Sequence, residues 1–200
     1  MKILVLKEYK SRKPDLMNCA VTEAFSLSGD MVTIATIKVG GILKMVTTIK
    51  DLIKQYKPDV VVAQKLLASI TLFESPKTIK KIVIDPYLLF EDEREAVILA
   101  MIMKYEGSIR MNNWLGNNSK KLIKCPQAFG IDNSFCILHS HSADRRLAEL
   151  FAETSNLVLV GKSKNAIDTI STYHRAFNKA RAYLDPDFDL PNAEELLKNN

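Results

Sequence analysis

Residues 58–69 constrain the fold more than any other part of the sequence. Val60, Val61 and Val62 form a short β-branched apolar run after a Pro-Asp turn, which is typical of a strand buried on both faces. A helical spacing then follows in the apolar residues Leu66, Leu67, Ile70 and Phe73. Because only residues 63–65 lie between the two patterns, the sequence predicts a buried strand that turns sharply into a buried helix.

The same alternation of strand and helix patterns continues along the chain. Apolar runs typical of strands occur at residues 3–6, 31–39, 82–84, 135–138 and 157–160. Helical patterns occur at residues 14–28, 43–56, from about 143, and 165–180. Alternating strands and helices predict an α/β fold, a three-layer sandwich with a mostly parallel sheet and helices on both faces. Residues 107–127 show no clear pattern and are interpreted as irregular.

The length and the apolar content indicate a single domain. A chain of 200 residues with 47% apolar residues can bury a substantial core. We predict one α/β domain over residues 1–184, in which residues 91–127 form a lid-like excursion, and a polar tail over residues 185–200. Residues 97–103 are apolar on every side of a helix, so they require cover from the core or from a homodimer contact.

Charge, cysteines and hydropathy exclude several classes of protein. The net charge of +5 comes mainly from scattered lysines, which is more typical of a solvated surface than of a nucleic-acid interface. The three cysteines lack the spacing of a disulfide framework or a zinc site. No stretch approaches the roughly 20 apolar residues of a membrane span, and no cofactor motif is present. The sequence predicts a cytoplasmic protein with no metal, cofactor or membrane partner, and its charge pattern disfavours a nucleic-acid partner.

The loops that follow the predicted strands are the expected location of a ligand site. Ligands bind to parallel sheets at the carboxyl ends of the strands, so the loops after Leu6, Val62, Leu138 and Val160 are the relevant ones. A metal site could be built from His139, His141 and Asp144. The preferred interpretation is that His141 or Ser142 caps the following helix, because no second cluster supplies a clear third ligand.

Taken together, these loops resemble those of small single-domain serine esterases of the α/β-hydrolase fold (the YqiA and YcfP type). The resemblance lies in the order of elements from residue 2 to about residue 177, with little identity of motifs. It implies an oxyanion-hole loop that begins at Lys7 and a nucleophile elbow centred on Lys65. It also places the family's acid at His141 and the family's catalytic histidine at Lys164.

These replacements remove the chemistry of a serine hydrolase, which needs a hydroxyl activated by an imidazole and an orienting carboxylate. We therefore predict a non-catalytic, α/β-hydrolase-like binding or interaction module. Its former active site would form either a pocket for a small anion lined by Lys7, Lys65, His141 and Lys164 or an ordinary surface ion cluster in which Glu8 and Asp85 neutralise the lysines. One alternative is a divergent active esterase whose catalytic residues lie elsewhere. A second alternative is a nucleotide- or nucleic-acid-linked α/β domain, which only the basic charge favours.

Overall fold

The structure is a computed structural model that describes residues 1–9, 29–89, 108–139, 145–152, 157–161 and 181–184. The strands are β1 (Lys2–Glu8), β2 (Met31–Ile37), β3 (Val60–Gln64), β4 (Lys80–Ile84), β5 (Ser134–His139), β6 (Leu157–Gly161) and β7 (Arg181–Leu184). The helices are α1 (Ile42–Tyr56), α2 (Lys65–Glu74), α3 (Ser108–Lys124) and α4 (Arg145–Ala152). Two short 3-10 helices precede β5, at Pro126–Phe129 and Ile131–Asn133.

Within the described ranges the strands form one seven-stranded sheet in the order β2-β1-β3-β4-β5-β6-β7. Every neighbouring pair of strands is parallel. The connection from β1 to β2 runs toward one edge, and the chain then crosses back over β1 to reach β3. From β3 onward each new strand is added on the other side of β1. The direction in which strands are added therefore reverses once, between β1 and β3.

The main core lies between one face of the sheet and the helices α1 to α4. Strand residues on this face alternate along each strand and join the helices in one buried cluster, as Leu4, Val61, Val83, Cys136 and Leu138 do. The side chains that point to the opposite face are buried as well, among them Ile3, Val5, Val62, Ile84 and Ile137. Both faces of the sheet are therefore covered, which is why its strands read as continuous apolar runs.

The predicted fold class, an α/β fold with a parallel sheet, is confirmed. The interpretation of residues 107–127 as irregular is wrong, because α3 occupies most of this segment. Its asparagines and Gly116 are poor helix formers, but Met111, Leu115 and Leu122 are buried at helical spacing and pack into the core. The short strand β7 was not predicted. The predicted helix at residues 97–103 and the polar tail lie outside the described residues.

Candidate functional site at the carboxyl edge of the sheet

The reversal of strand order between β1 and β3 marks the place where a doubly wound sheet binds ligands. At such a switch point the flanking loops lead away in opposite directions and leave a crevice outside the carboxyl ends of the strands. Here β1 ends in Glu8 and β3 ends in Gln64, with Lys65 directly after it. These residues therefore lie at the position where this sheet geometry favours a ligand.

Glu8 brings a carboxylate to this switch point. Its side chain is half-buried, and its Oε1 atom is buried without a hydrogen-bond partner among the residues that the structure describes. By strand alternation it lies on the same face as Leu6, which packs against the helices. An unpaired buried carboxylate oxygen costs about 1–3 kcal/mol or more, so Glu8 is suited to receive a hydrogen-bond donor from a ligand.

Lys65 is the first residue of α2 and has a left-handed backbone, with a φ of 55°. The predicted sharp turn from strand to helix is therefore confirmed at this residue. A left-handed conformation costs a residue with a side chain about 1–2 kcal/mol, and such strain is concentrated at functional sites. The half-buried Lys65 side chain adds a positive charge where the helix dipole is also positive.

Asp85 follows β4 directly and holds His139, the last residue of β5. One carboxylate oxygen of Asp85 accepts a hydrogen bond from the His139 backbone N–H at 2.9 Å. The other carboxylate oxygen accepts a hydrogen bond from His139 Nδ1 at 2.5 Å. Both side chains are largely buried, with exposed fractions of 8% for Asp85 and 12% for His139. The carboxylate thus fixes the orientation of the His139 ring, with Nδ1 facing Asp85.

The backbone of Asp85 is also left-handed, with a φ of 45°. In the register of β3 with β4, Gln64 lies beside Ile84, so Lys65 and Asp85 occupy the next positions along the two strands. Two neighbouring strands are therefore followed directly by charged residues of opposite sign, each with a left-handed backbone. The backbone N–H of Asp85 donates to the Ile137 carbonyl at 3.0 Å, which anchors this turn to β5.

Tyr87 links Glu8 to Asp85 electrostatically. Burial raises the pKa of the Tyr87 hydroxyl, and the negative charges of Glu8 and Asp85 raise it further. Both carboxylates therefore act on the same hydroxyl, although Glu8 is the last residue of β1 and Asp85 follows β4. The loop that carries Tyr87 is fixed to α2, because Ser69 Oγ donates a hydrogen bond to the Tyr87 carbonyl at 2.6 Å.

The residues proposed from the sequence have different outcomes. Lys65 lies in the candidate site, and Lys7 lies in β1, one residue before Glu8. Strand alternation directs Lys7 to the face opposite that of Glu8. His141 and Lys164 lie outside the described residues. His139 was considered only as a possible metal ligand, and Glu8, Asp85 and Tyr87 were not proposed as ligand-binding residues. The rule that ligands bind at strand ends nevertheless points to this region of the sheet.

The described part of the chain contains neither a candidate metal-binding group nor a candidate membrane-spanning helix. No group of three or more histidine, cysteine, aspartate or glutamate side chains is placed there to hold a metal ion. Among these residues there is also no helix that is long and apolar enough to cross a membrane.

No protein-family model and no curated protein matches the chain. Among solved structures, the lactose repressor bound to the anti-inducer ONPF is similar at 10% identity, with 88% of this chain and 74% of that chain covered and a TM-score of 0.36. A LacI-family regulator from Weissella paramesenteroides with bound glucose matches at 9% identity, 92% and 93% coverage and a TM-score of 0.36. A glucose-galactose binding protein from Geobacillus stearothermophilus matches at 12% identity, 98% and 81% coverage and a TM-score of 0.35.

The predicted resemblance to α/β-hydrolase esterases is wrong. These structural neighbours are LacI-type regulators and a sugar-binding protein rather than hydrolases. The first five strands of the sheet follow the doubly wound order β2-β1-β3-β4-β5 and are all parallel. The sharp turn at Lys65 suggested a nucleophile elbow, but a strand that leads directly into a helix occurs in parallel α/β sheets of many functions.

Proposed function

We propose that this chain is a binding domain for a small polar molecule, with its site at the carboxyl ends of β1, β3, β4 and β5. The observation that carries the proposal is the buried Oε1 atom of Glu8, which has no hydrogen-bond partner among the described residues and lies at the switch point of the sheet. A ligand that donates a hydrogen bond to this oxygen would remove the cost of burying it.

The acidic part of the site favours a donor group on the ligand. Glu8 and Asp85 both make the surroundings of the Tyr87 hydroxyl more negative. Carboxylates accept hydrogen bonds from hydroxyl and ammonium groups, and bonds to a charged acceptor are about twice as strong as neutral ones. The ligand would therefore present a hydroxyl or an amine to Glu8.

The basic part of the site favours an acceptor group on the same ligand. Lys65 opens α2, and unpaired backbone N–H groups at a helix start bind anions. In this proposal the predicted anion contact is retained at Lys65. The predicted contact at Lys7 is not retained, because strand alternation directs Lys7 to the face opposite that of Glu8. A molecule with both kinds of group, such as an amino acid, a sugar or a sugar phosphate, fits this combination.

A binding screen tests the proposal. Thermal unfolding would be followed with amino acids, monosaccharides, sugar phosphates, nucleotides and inorganic phosphate at matched ionic strength. A ligand specific for the native state raises the melting temperature saturably, and calorimetry then gives its Kd. We expect Glu8→Gln to weaken that binding about tenfold or more, because it removes a charged acceptor.

Glu74→Gln is the matched control, since Glu74 is an acidic residue at the far end of α2 that pairs with Lys50 at 2.6 Å. Its affinity for the ligand should equal that of the parent protein. The proposal fails if no class of compound gives a saturable shift, or if Glu8→Gln binds as tightly as the control.

The pair of Asp85 and His139 favours a second candidate function, acid–base catalysis on the bound molecule. A carboxylate that holds Nδ1 of an imidazole is the arrangement by which enzymes orient a general base. Under this alternative the ligand would be converted when it is incubated with the protein, as NMR spectra of the ligand would reveal. Asp85→Asn and His139→Gln would then slow the conversion, whereas pure binding leaves the ligand unchanged.

A further inference from the structure

The strand β2 forms one edge of the sheet and carries exposed apolar side chains. It pairs with β1 on one side, and no strand among the described residues pairs with its other side. Met31 is 65% exposed and Ile34 is 50% exposed. The sequence of β2 is MVTIATI, which contains no charge, proline or glycine.

Natural proteins rarely leave such an edge unprotected. Lysines, prolines, bulges or very short strands normally prevent an edge from pairing with another chain. The seven residues of β2 have none of these features, and β2 pairs with β1 along its whole length without a bulge. This edge is therefore suited to accept a further strand.

The hydrogen bonds to β1 identify the backbone groups that point outward. The Met31 N–H donates to the Met1 carbonyl at 3.0 Å, and the Ile37 carbonyl accepts from the Tyr9 N–H at 2.7 Å. The odd-numbered residues of β2 thus direct their backbone groups toward β1. Because backbone direction alternates along a strand, Val32, Ile34 and Thr36 direct theirs toward the open edge.

We propose that β2 pairs with β2 of a second copy of this chain, antiparallel, about a two-fold axis at Ile34. In this register Ile34 lies opposite Ile34 of the second copy, and Val32 lies opposite Thr36. All of these positions direct their backbone groups outward, so each facing pair exchanges two N–H to carbonyl bonds. The interface is isologous and joins two sheets into one continuous sheet.

The charges that flank β2 favour this register and this partner. Asp30 precedes the strand and Lys38 follows it, so the axis at Ile34 places Asp30 of each copy opposite Lys38 of the other. Moving the axis by two residues to Val32 or Thr36 would instead place Asp30 or Lys38 opposite Ile34. Facing opposite charges stabilise antiparallel pairs, and the strand is complementary to itself only in the first register.

Sedimentation velocity over a wide range of protein concentration tests the proposal, with dimer formation as the expected result. Ile34→Lys would place two like charges opposite each other on the axis, so the dimer Kd should rise about tenfold or more. Leu43→Lys is the matched control, because Leu43 is 66% exposed on α1 and lies outside β2. Its dimer Kd should be unchanged, and circular dichroism checks that both variants are folded.

Charge reversal tests the register. Lys38→Asp and Asp30→Lys should each weaken the dimer about threefold to tenfold, and the double variant should restore it. Asp30 also accepts a hydrogen bond from the Met1 amino group at 2.6 Å, so Lys38→Asp and Ile34→Lys keep the test decisive if Asp30→Lys unfolds. A protein that stays monomeric at every concentration, or a double variant that remains weak, overturns the proposal. Neither outcome affects the ligand site, which does not involve β2.

Discussion

The two ends of β4 each bury a charged residue, and the two surroundings differ. Lys81 lies near the amino end of the strand and is fully buried. Asp85 lies directly past the carboxyl end and is also buried. Both charges are costly to bury, so each must gain something from its neighbours, and the two ends of the strand meet that requirement in different ways.

At the amino end Lys81 has a simple environment. Its Nζ donates a hydrogen bond to the Phe129 carbonyl at 2.9 Å, which ties the 3-10 helix before β5 to β4. Burial lowers the pKa of Lys81 from 10.5 to about 8. The backbone here is regular strand, and the lysine fastens one loop to the sheet.

At the carboxyl end several polar groups from different strands converge on one region. Asp85 holds His139, and the charges of Asp85 and Glu8 both raise the pKa of Tyr87. The backbone is left-handed at Asp85 and at Lys65. The comparison teaches that a buried charge alone does not mark a functional site. Convergence of polar groups, an unpaired buried oxygen and local strain together distinguish the carboxyl end.

The largest expected effect on stability comes from a substitution at Gly130, which connects the two 3-10 helices near the amino end of β4. Gly130 has a φ of 64°, and a Cβ atom there would lie 2.6 Å from the backbone oxygen of Lys77. Gly130→Ala should therefore lower the free energy of unfolding by on the order of 3–4 kcal/mol, as measured by urea denaturation. Gly116→Ala is the control, because nothing lies within 4 Å of its Cβ position in α3. That change should stabilise the protein by about 0.5–1 kcal/mol, and equal effects of the two substitutions would contradict the prediction.

The buried charge of Lys81 should make stability depend on pH. Between pH 8 and pH 10.5 the unfolded chain holds a proton that folded Lys81 has lost, so the free energy of unfolding rises with pH. The difference between the two pKa values corresponds to at most about 3 kcal/mol. Lys81→Met does not bury a charge, so its free energy of unfolding should exceed that of the parent protein at pH 7. The difference between the two proteins should become smaller as the pH rises. Denaturation curves of the two proteins that stay a constant distance apart from pH 7 to pH 10 would refute this account.

At the carboxyl end Asp85→Ala should lower the free energy of unfolding by about 2 kcal/mol. Alanine leaves the His139 N–H and ring without their acceptor and is disfavoured at a φ of 45°. Asp85→Asn should cost about half as much, since asparagine tolerates this backbone and can still accept one of the bonds. Chemical denaturation measures both, and an asparagine variant as unstable as the alanine variant would show that the hydrogen bonds are not the main contribution.

The alternation of strands and helices could be predicted because buried parallel strands leave uninterrupted apolar runs. The run at residues 60–62 and the helix pattern at residues 43–56 match β3 and α1 closely. The helix α3 was missed, since its asparagines and glycine disfavour a helix locally and packing of Leu115 and Leu122 overrides them. Propensity failed there because tertiary contacts decide the outcome.

The candidate site was only partly predictable. The sharp turn at Lys65 was predicted because it is local, between a strand and the helix that follows it in the sequence. Asp85 and His139 lie far apart in the chain and meet only because β4 pairs with β5. Glu8 reaches the same edge of the sheet from β1, and the sheet order is not readable from any single segment. The left-handed backbone of Asp85 also has no local signal, since an aspartate before a proline reads simply as the end of a strand.

The smallest expected effect on stability comes from glycine substitutions at two lysines with a left-handed backbone, one in the candidate site and one outside it. Lys65 and Lys57 are both left-handed, with φ values of 55° and 46°. Lys57 caps the carboxyl end of α1, where glycine is the usual residue. Glycine relieves the backbone cost at either position but adds conformational entropy to the unfolded chain, so each change should stabilise the protein by about 0.5 kcal/mol.

Binding should distinguish the two substitutions where stability does not. Lys65→Gly removes the cation beside the start of α2 and should weaken binding of the ligand found in the screen about tenfold, whereas Lys57→Gly should bind like the parent protein. Urea denaturation and calorimetry on the same samples measure both quantities. If Lys65→Gly gains stability and keeps its affinity, Lys65 does not contact the ligand, and its strain serves only to turn β3 into α2. If both variants gain stability and only Lys65→Gly loses affinity, the lysine at this strained turn is kept for binding. Such a residue lowers the stability of the protein in exchange for function, as is common at functional sites.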